Sequence, residues 1–249
     1  MAGFTQSLKG VWFILKTLPV FILRQTPFRN SDLILTGLSP EGYLTIHARG
    51  ALKMTYPFQA MVSLGAWSEL TLNQTRQKAY LEKANLLKFA PLPDRESLVG
   101  SLVMQVLLQI LLLDEEADHA SLLYDHLVQV RQHMQTALSS YLKFLFLYLE
   151  IQGLPVIVDY CVHCQTKVKI VGVNPELGGF ICQTCLAKVS GTPLSIESLK
   201  LMRAIKTIKF GEEINLTILK KIIPLVHQHF NFHLDVQLEG FKTIEKLMQ

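Results

Sequence analysis

Long apolar runs are scarce in this 249-residue chain. The longest strongly apolar stretch is residues 102–113, interrupted by Gln105 and Gln109, whereas a membrane-crossing helix needs about 20 apolar residues. That stretch is expected to be a buried helix, and no membrane is expected among the partners. Near the start, Lys16 splits the apolar stretch and no small-residue cleavage site follows, so a secretory signal is not expected. Cysteine is rare: the four present come as two close pairs, which excludes a scattered disulfide framework and points to a reducing, cytoplasmic compartment. Catalytic fingerprints are missing too. There is no Gly-x-x-x-x-Gly-Lys phosphate loop, no Gly-x-Ser-x-Gly turn, no Gly-x-Gly-x-x-Gly and no His-x-Glu pair. These absences weigh against ATPase, hydrolase, dehydrogenase and zinc-deaminase chemistry, and the chain is expected not to be an enzyme. No internal repeat and no low-complexity tract is present.

What is there is enough for proper cores. Hydrophobic residues make up 49% and charged residues 18%, a globular composition that supports one large domain or two modest ones. The net charge of +4 is unevenly spread: residues 1–90 carry 10 Lys and Arg against 4 Asp and Glu, and residues 91–155 carry 3 against 8. A polyanionic partner is therefore expected at the N-terminal part.

From Pro19 to Asn73 the pattern is short and strand-like, with candidate strands at 20–24, 33–37, 43–48, 58–64 and 68–72. Turn chemistry separates them, most clearly at Ser39-Pro40-Glu41-Gly42, then at Gly50 and Gly65. Short strands with little helix between them predict a small barrel or sandwich. Helix formers populate residues 74–90, and Pro91 and Pro93 then mark a boundary. Long helical patterns follow at 94–113, 118–134 and 136–151, the last closed by Gly153 and Pro155. The cysteine segment 159–188 interrupts them with a β-like stretch at 167–173, and helical signals return at 193–209 and 216–232. The expected organisation is an N-terminal extension at 1–18, a β domain at 19–90 and a helical domain at 91–249 with an inserted module at 159–188.

The strongest chemical motif is Cys161-Val-His-Cys164 followed, after 17 residues, by Cys182-Gln-Thr-Cys185. Each Cys-x-x-Cys turn brings two thiolates to one side, and two such turns complete a tetrahedral shell at about 2.3 Å per Zn–S bond. Four thiolates leave no open position, so Cys161, Cys164, Cys182 and Cys185 are expected to hold a structural Zn²⁺ rather than a catalytic one. Two disulfides or a redox Cys-x-x-Cys are the competing readings and account less well for a second knuckle. His163, inside the first knuckle, can in principle replace a cysteine, but reads as a solvent-facing loop histidine.

The remaining signals are weaker. Arg24, Arg29, Arg49 and Lys53 fall on or beside the candidate strands, with Tyr43, Tyr56 and Phe58 nearby. A basic surface with aromatics is how small barrels hold single strands; the alternative is ordinary solvated charges and core rings. His119, His126 and His133 recur every seventh residue, and His227, His229 and His233 cluster later; both sets read as histidines on wet helix faces rather than metal stripes. The acidic run at 114–118 reads as a solvated loop between helices.

At this point the residues resemble a known family, the bacterial recombination mediator RecO. Phe21-Ile-Leu-Arg24, Ser31-Asp32-Leu-Ile, Glu41-Gly42-Tyr-Leu-Thr-Ile and Ala48-Arg49-Gly50-Ala51 follow in the order of its N-terminal barrel. Gly153-Leu-Pro-Val, Tyr160-Cys161-Val-His-Cys164 and Pro175-Glu-Leu-Gly-Gly-Phe-Ile-Cys182-Gln-Thr-Cys185 look like its passage through the cysteine module. The resemblance covers about residues 19–240; Asn30 stands where the family often has an acidic residue, and only Lys53 remains of the usual basic run after Arg49-Gly50-Ala51. The resemblance implies an α+β fold: an N-terminal OB-fold β-barrel followed by an α-helical domain with an inserted four-cysteine zinc-binding module. It also implies a DNA-binding recombination mediator in DNA repair that binds single- and double-stranded DNA, anneals strands and works with RecR to load RecA. The acidic C-terminal tail of single-strand-binding protein is implied as a further partner, and the nucleoid as the location. A repair-complex adaptor with little direct DNA binding is the alternative.

Overall fold

The computed structural model describes residues 3–5, 13–75, 78–88, 95–113 and 119–248. The acidic run at 114–118, the Pro91 and Pro93 boundary and residues 1–2 and 6–12 lie outside them. The chain divides into two compact units: Met1–Leu92 with Leu108–Asp125, and Pro93–Leu107 with His126–Gln249. The fold is mixed, with an N-terminal sheet and a helical C-terminal region.

The first unit is built on strands β1 (Gly3–Thr5), β2 (Phe13–Phe28), β3 (Asp32–Ser39), β4 (Gly42–Ala48), β5 (Trp67–Gln74) and β6 (Ala79–Lys88). The long β2 pairs with β5 over its first half and with β3 over its second, and a register shift between Ile22 and Arg24 marks the change of partner. β4 pairs with β3 antiparallel and with β6 parallel, and β6 pairs with β5. The pairings thus run β2–β3–β4–β6–β5 and return to β2. Alternate residues point inward, including Val20, Ile22, Leu35, Ile46, Leu70 and Leu72, all buried in one apolar cluster. At about 25 cal/mol per Å² of apolar area, each such side chain contributes roughly 1.5–3 kcal/mol when fully buried. Gly37 is required where β3 crosses β2, because a Cβ there would collide with the Val20 side chain.

Three sequence expectations change here. β2 begins at Phe13, ahead of the expected start at Pro19; Pro19 is tolerated because its only strand partner among the described residues is β5, through Glu69. Residues 58–64 form turns rather than a strand, with the N–H groups of Met61 and Val62 donating to the Phe58 carbonyl at 3.0 and 3.1 Å. Phe58, Met61 and Val62 face the core at the spacing of a helical turn, not of a strand. Residues 79–88 form β6 instead of a helix: pairing with β5 along its length overrides helix propensity. A register shift opposite Thr71 and Leu72 hid the two-residue period.

A ring stack closes one side of the first unit. Phe21 stacks on Trp67 at 5.3 Å and leans on Tyr124 at 5.6 Å, and Trp67 Nε1 donates to the Tyr124 hydroxyl at 2.9 Å. Tyr43 is used structurally, its hydroxyl donating to the Leu111 carbonyl at 2.8 Å.

The helices are α1 (Arg95–Leu111), α2 (Ala120–Gln132) and α3 (Ala137–Ile151), and the divide between the units falls within α1 and α2. The second unit continues with β7 (Ile170–Asn174), β8 (Gly179–Cys182), the short α4 (Gln183–Leu186), β9 (Thr192–Pro193), α5 (Ile196–Ala204), α6 (Leu216–Leu234) and α7 (Glu239–Met248). Ser195 caps α5 by accepting from Ser198 N, and Asn215 caps α6 by accepting from Thr217 N. Among the described residues no helix is long and apolar enough to cross a membrane.

The later histidines are not on wet faces. His227 and His229 are buried: both ring nitrogens of His227 are paired, with Tyr141 and Glu245, whereas His229 has the Leu154 carbonyl 2.9 Å from Nε2 and, among the described residues, no partner at its buried Nδ1. His233 reaches the Pro175 carbonyl at 3.0 Å.

Candidate metal centre and nucleic-acid interface

The cysteine module folds as β8–β7–β9 with two knuckles at one end. In the first, Gln165 N donates to the Cys161 carbonyl at 2.8 Å while Gln165 takes a left-handed φ of 61°, and Cys161 N donates to the Thr166 carbonyl at 2.8 Å. In the second, Cys182 ends β8 and Cys185 lies in the single turn of α4. The Lys169 carbonyl accepts Gln183 N at 2.9 Å and ties the second knuckle to the start of β7.

These turns bring all four sulfurs within 4.8 Å of one another. Cys164 Sγ and Cys182 Sγ are 3.7 Å apart. A tetrahedron with bonds of about 2.3 Å has edges of about 3.8 Å, so the spacing fits a four-thiolate metal shell. All four cysteines are free, and 3.7 Å is far beyond the roughly 2.05 Å of a disulfide.

The electrostatics fit a cation as well. Burial raises the Cys161 pKa, but the backbone N–H groups of Cys182, Cys164 and His163 outweigh it and bring the thiol down to about 6. Cys185 is pushed up to about 12 by burial and by the three neighbouring cysteines. Such a set stays partly protonated until a cation compensates its charge. His163 is exposed, as expected, and its Nδ1 also lies 3.4 Å from Cys185 Sγ. The residues present can hold one metal ion with a closed shell.

The four cationic residues singled out in the first unit are all exposed. Arg24 lies on β2, its Nη2 donating to Thr36 Oγ1 at 3.3 Å. Arg29 sits in the β2–β3 turn with a left-handed φ of 56°, its guanidinium 5.1 Å from the Phe28 ring centre. Arg49 follows β4, its guanidinium 4.4 Å from the Tyr80 ring centre. Lys53 closes the same turn, its N–H donating to the Gly50 carbonyl at 3.0 Å. Asp32 organises that turn by accepting Gly50 N at 2.8 Å. This bond lowers the Asp32 pKa against desolvation, with Ser31 and His47 assisting.

Between Arg29 and Arg49 runs a row of rings. Phe28 meets His47 edge-on at 5.3 Å, and His47 meets Tyr80 at 5.3 Å. Register explains the row: Thr26 faces Ile34, Ile34 faces His47 and His47 faces Tyr80. By strand alternation Arg24 shares the face of Thr26 and Phe28. His47 Nε2 lies 3.2 Å from Asp32 Oδ2, within ion-pair distance but without hydrogen-bond geometry.

A family model described as Recombination protein O C terminal matches residues 92–240. The chain belongs to the recombination protein O family. That membership gives it a role as a recombination mediator in DNA repair. The matched region of this RecO chain contains all four cysteines. No curated protein matches the chain.

The sequence pointed to the cations, which are exposed, and to the thiolates, which are gathered, but not to the row of rings. Tyr56 and Phe58, expected to accompany the arginines, instead meet each other edge-on at 5.7 Å and pack against the apolar cluster. The rings that lie beside the arginines are Phe28 and Tyr80, joined by His47; the signal that marks them is strand register, which no local pattern carries.

Proposed function

We propose that this RecO protein is a DNA-binding recombination mediator without a catalytic step of its own, working with RecR to load RecA on single-stranded DNA. The five-stranded ring β2–β3–β4–β6–β5 is taken as an OB barrel, whose usual binding surface is its second and third strands with the adjoining loops. Here those strands are β3 and β4, and Arg29 stands in the first of those loops. The observation that carries the reading is the gathering of Arg29, Arg49 and Lys53 around one strand end, with Arg24 on the same face. Their cationic groups contact phosphates. The four thiolates hold Zn²⁺, which supplies cross-linking of the module and no open coordination site for chemistry.

The test is single-strand affinity against salt. Four phosphate contacts give a log–log slope of roughly −2.8, so raising salt from about 50 to about 200 mM weakens binding roughly 50-fold. Changing Arg24, Arg29 and Arg49 to Glu removes most of that slope. A flat salt response rejects the assignment.

A repair-complex adaptor is the second reading. It is favoured by an apolar recess of about 370 Å³ in the helical unit, lined by Val99, Met134, Leu138, Ile214, Leu219 and Met248. In that case the charge-reversed protein binds RecR and the single-strand-binding protein tail as the wild type does, and the wild type itself has no DNA affinity to lose.

A further inference from the structure

We propose that Phe28, His47 and Tyr80 form a base-stacking platform that makes this face prefer unpaired single-stranded DNA over duplex; the inference rests on the face being a nucleic-acid surface. Three aromatic rings in unbroken contact, capped at both ends by guanidinium groups, lie across β2, β4 and β6. Phe28 is 38% exposed, so a large apolar ring is open to solvent beside a cation that already lies over it. His47 and Tyr80 are only partly buried.

The arrangement is suited to an exchange of partners. In the free protein Arg29 covers Phe28 and Arg49 covers Tyr80; an exposed cation–ring contact favours its bound form by about 2- to 5-fold. A nucleotide strand offers each component something stronger. Phosphates draw the guanidinium groups away, and the ring faces they leave take bases, each stacked base tightening binding by about 5- to 150-fold. In a duplex the base faces are already stacked on one another, so only the phosphate half of the exchange is open. The platform therefore discriminates by base availability rather than by sequence.

The experiment uses the full-length protein and three probes of equal length: a single strand, the same strand lacking its bases, and the duplex. Fluorescence anisotropy reads affinity, and 2-aminopurine in the base-bearing strand reads stacking by quenching. The wild type is expected to bind the base-bearing strand about 10- to 100-fold more tightly than the abasic one, with 2-aminopurine quenched. Phe28→Leu and Tyr80→Leu are expected to lower that ratio several-fold, with abasic affinity rising by no more than about 5-fold, because the guanidinium group no longer has to leave a ring. Equal wild-type affinity for the base-bearing and abasic strands, or an unquenched 2-aminopurine, overturns the platform and leaves the phosphate contacts standing. Failure of the wild type to bind either strand overturns the nucleic-acid reading and the platform with it. The wild-type readouts hold even if a variant does not fold.

Discussion

Protonation of one buried histidine should govern the acid stability of the helical unit. His227 on α6 is 1% exposed, stacked on Phe241 of α7 with ring centres 3.9 Å apart. Its Nδ1 is 2.7 Å from Glu245 Oε1 of α7, and its Nε2 is 2.8 Å from the hydroxyl of Tyr141 on α3. One tautomer satisfies both neighbours: Nδ1–H donates to the carboxylate, and Nε2 accepts from the tyrosine. A second proton on Nε2 opposes the tyrosine donor and places a charge where little water reaches. Burial dominates, and although Glu245 pulls the other way, the His227 pKa falls from 6.5 to about 4.

Because the folded pKa lies below the unfolded one, the unfolded chain takes up the proton first. The stabilising contribution is complete above about pH 6.5 and is lost as pH falls towards 4. The loss is about 2 kcal/mol at pH 5 and about 3 kcal/mol at pH 4, at 1.36 kcal/mol per pKa unit. Urea melts followed by circular dichroism from pH 7.5 to 4 measure the fall. His227→Gln cannot titrate and is expected to flatten the curve by that amount, although it is less stable at neutral pH. His229, whose pKa burial also lowers, contributes in the same direction, so the difference between wild type and variant is the quantity that matters. If the variant loses as much stability as the wild type between pH 7 and 4, or if NMR shows the His227 ring titrating near 6.5, the argument is wrong.

Other expectations follow from the same structure. Treatment with a strong chelator, or changing Cys182 to Ser, should take metal content well below one per chain and open residues 159–188 to proteolysis, because metal binding in such a module is folding energy; unchanged protease resistance in chelator rejects the proposed zinc site. Gly179→Ala should destabilise the module by roughly 2–3 kcal/mol in denaturant melts, since a Cβ there meets the Ile157 backbone, its carbonyl carbon at 2.9 Å, and backbone cannot step aside. Tyr141→Phe should cost about 1–3 kcal/mol by leaving the buried His227 Nε2 without its donor, a loss visible in the same melts. Gly37→Ala should destabilise the first unit by roughly 1–3 kcal/mol through its collision with Val20, followed by Trp67 fluorescence.

How much of this was legible from the sequence depends on how local each signal is. The thiolate cage was readable because each knuckle is a four-residue turn whose geometry is contained within itself, and only the meeting of the two had to be assumed. β3 and β4 were readable because Ser39 to Gly42 specify the hairpin between them: Ser39 Oγ donates to the Gly42 carbonyl at 2.9 Å, and Gly42 takes a φ of +128°. β6 was not readable. Its residues favour a helix in isolation, and the strand exists because β4 and β5 supply partners along its two edges.

The same distinction separates the two halves of the proposed nucleic-acid face. Arg24, Arg29, Arg49 and Lys53 stand out in sequence because charge on a β segment must point to solvent wherever the fold puts it. Phe28, His47 and Tyr80 carry no such mark, since an aromatic residue on a strand is as readily a core residue, and Tyr56 and Phe58 are core neighbours here. What turns Phe28 outward is a count: the register shift between Ile22 and Arg24 changes which alternate residues of β2 face the core. Upstream of it Val20 and Ile22 are buried; downstream Arg24 and Phe28 are exposed. Removing that one-residue irregularity would exchange the two faces of the strand end, turning Phe28 towards the apolar cluster and away from His47. The cations depend on this less, because Arg29 and Arg49 lie in turns. A variant that deletes one residue at the shift is therefore expected to lose discrimination between base-bearing and abasic strands before it loses its salt-dependent affinity, provided the melt of the first unit is retained.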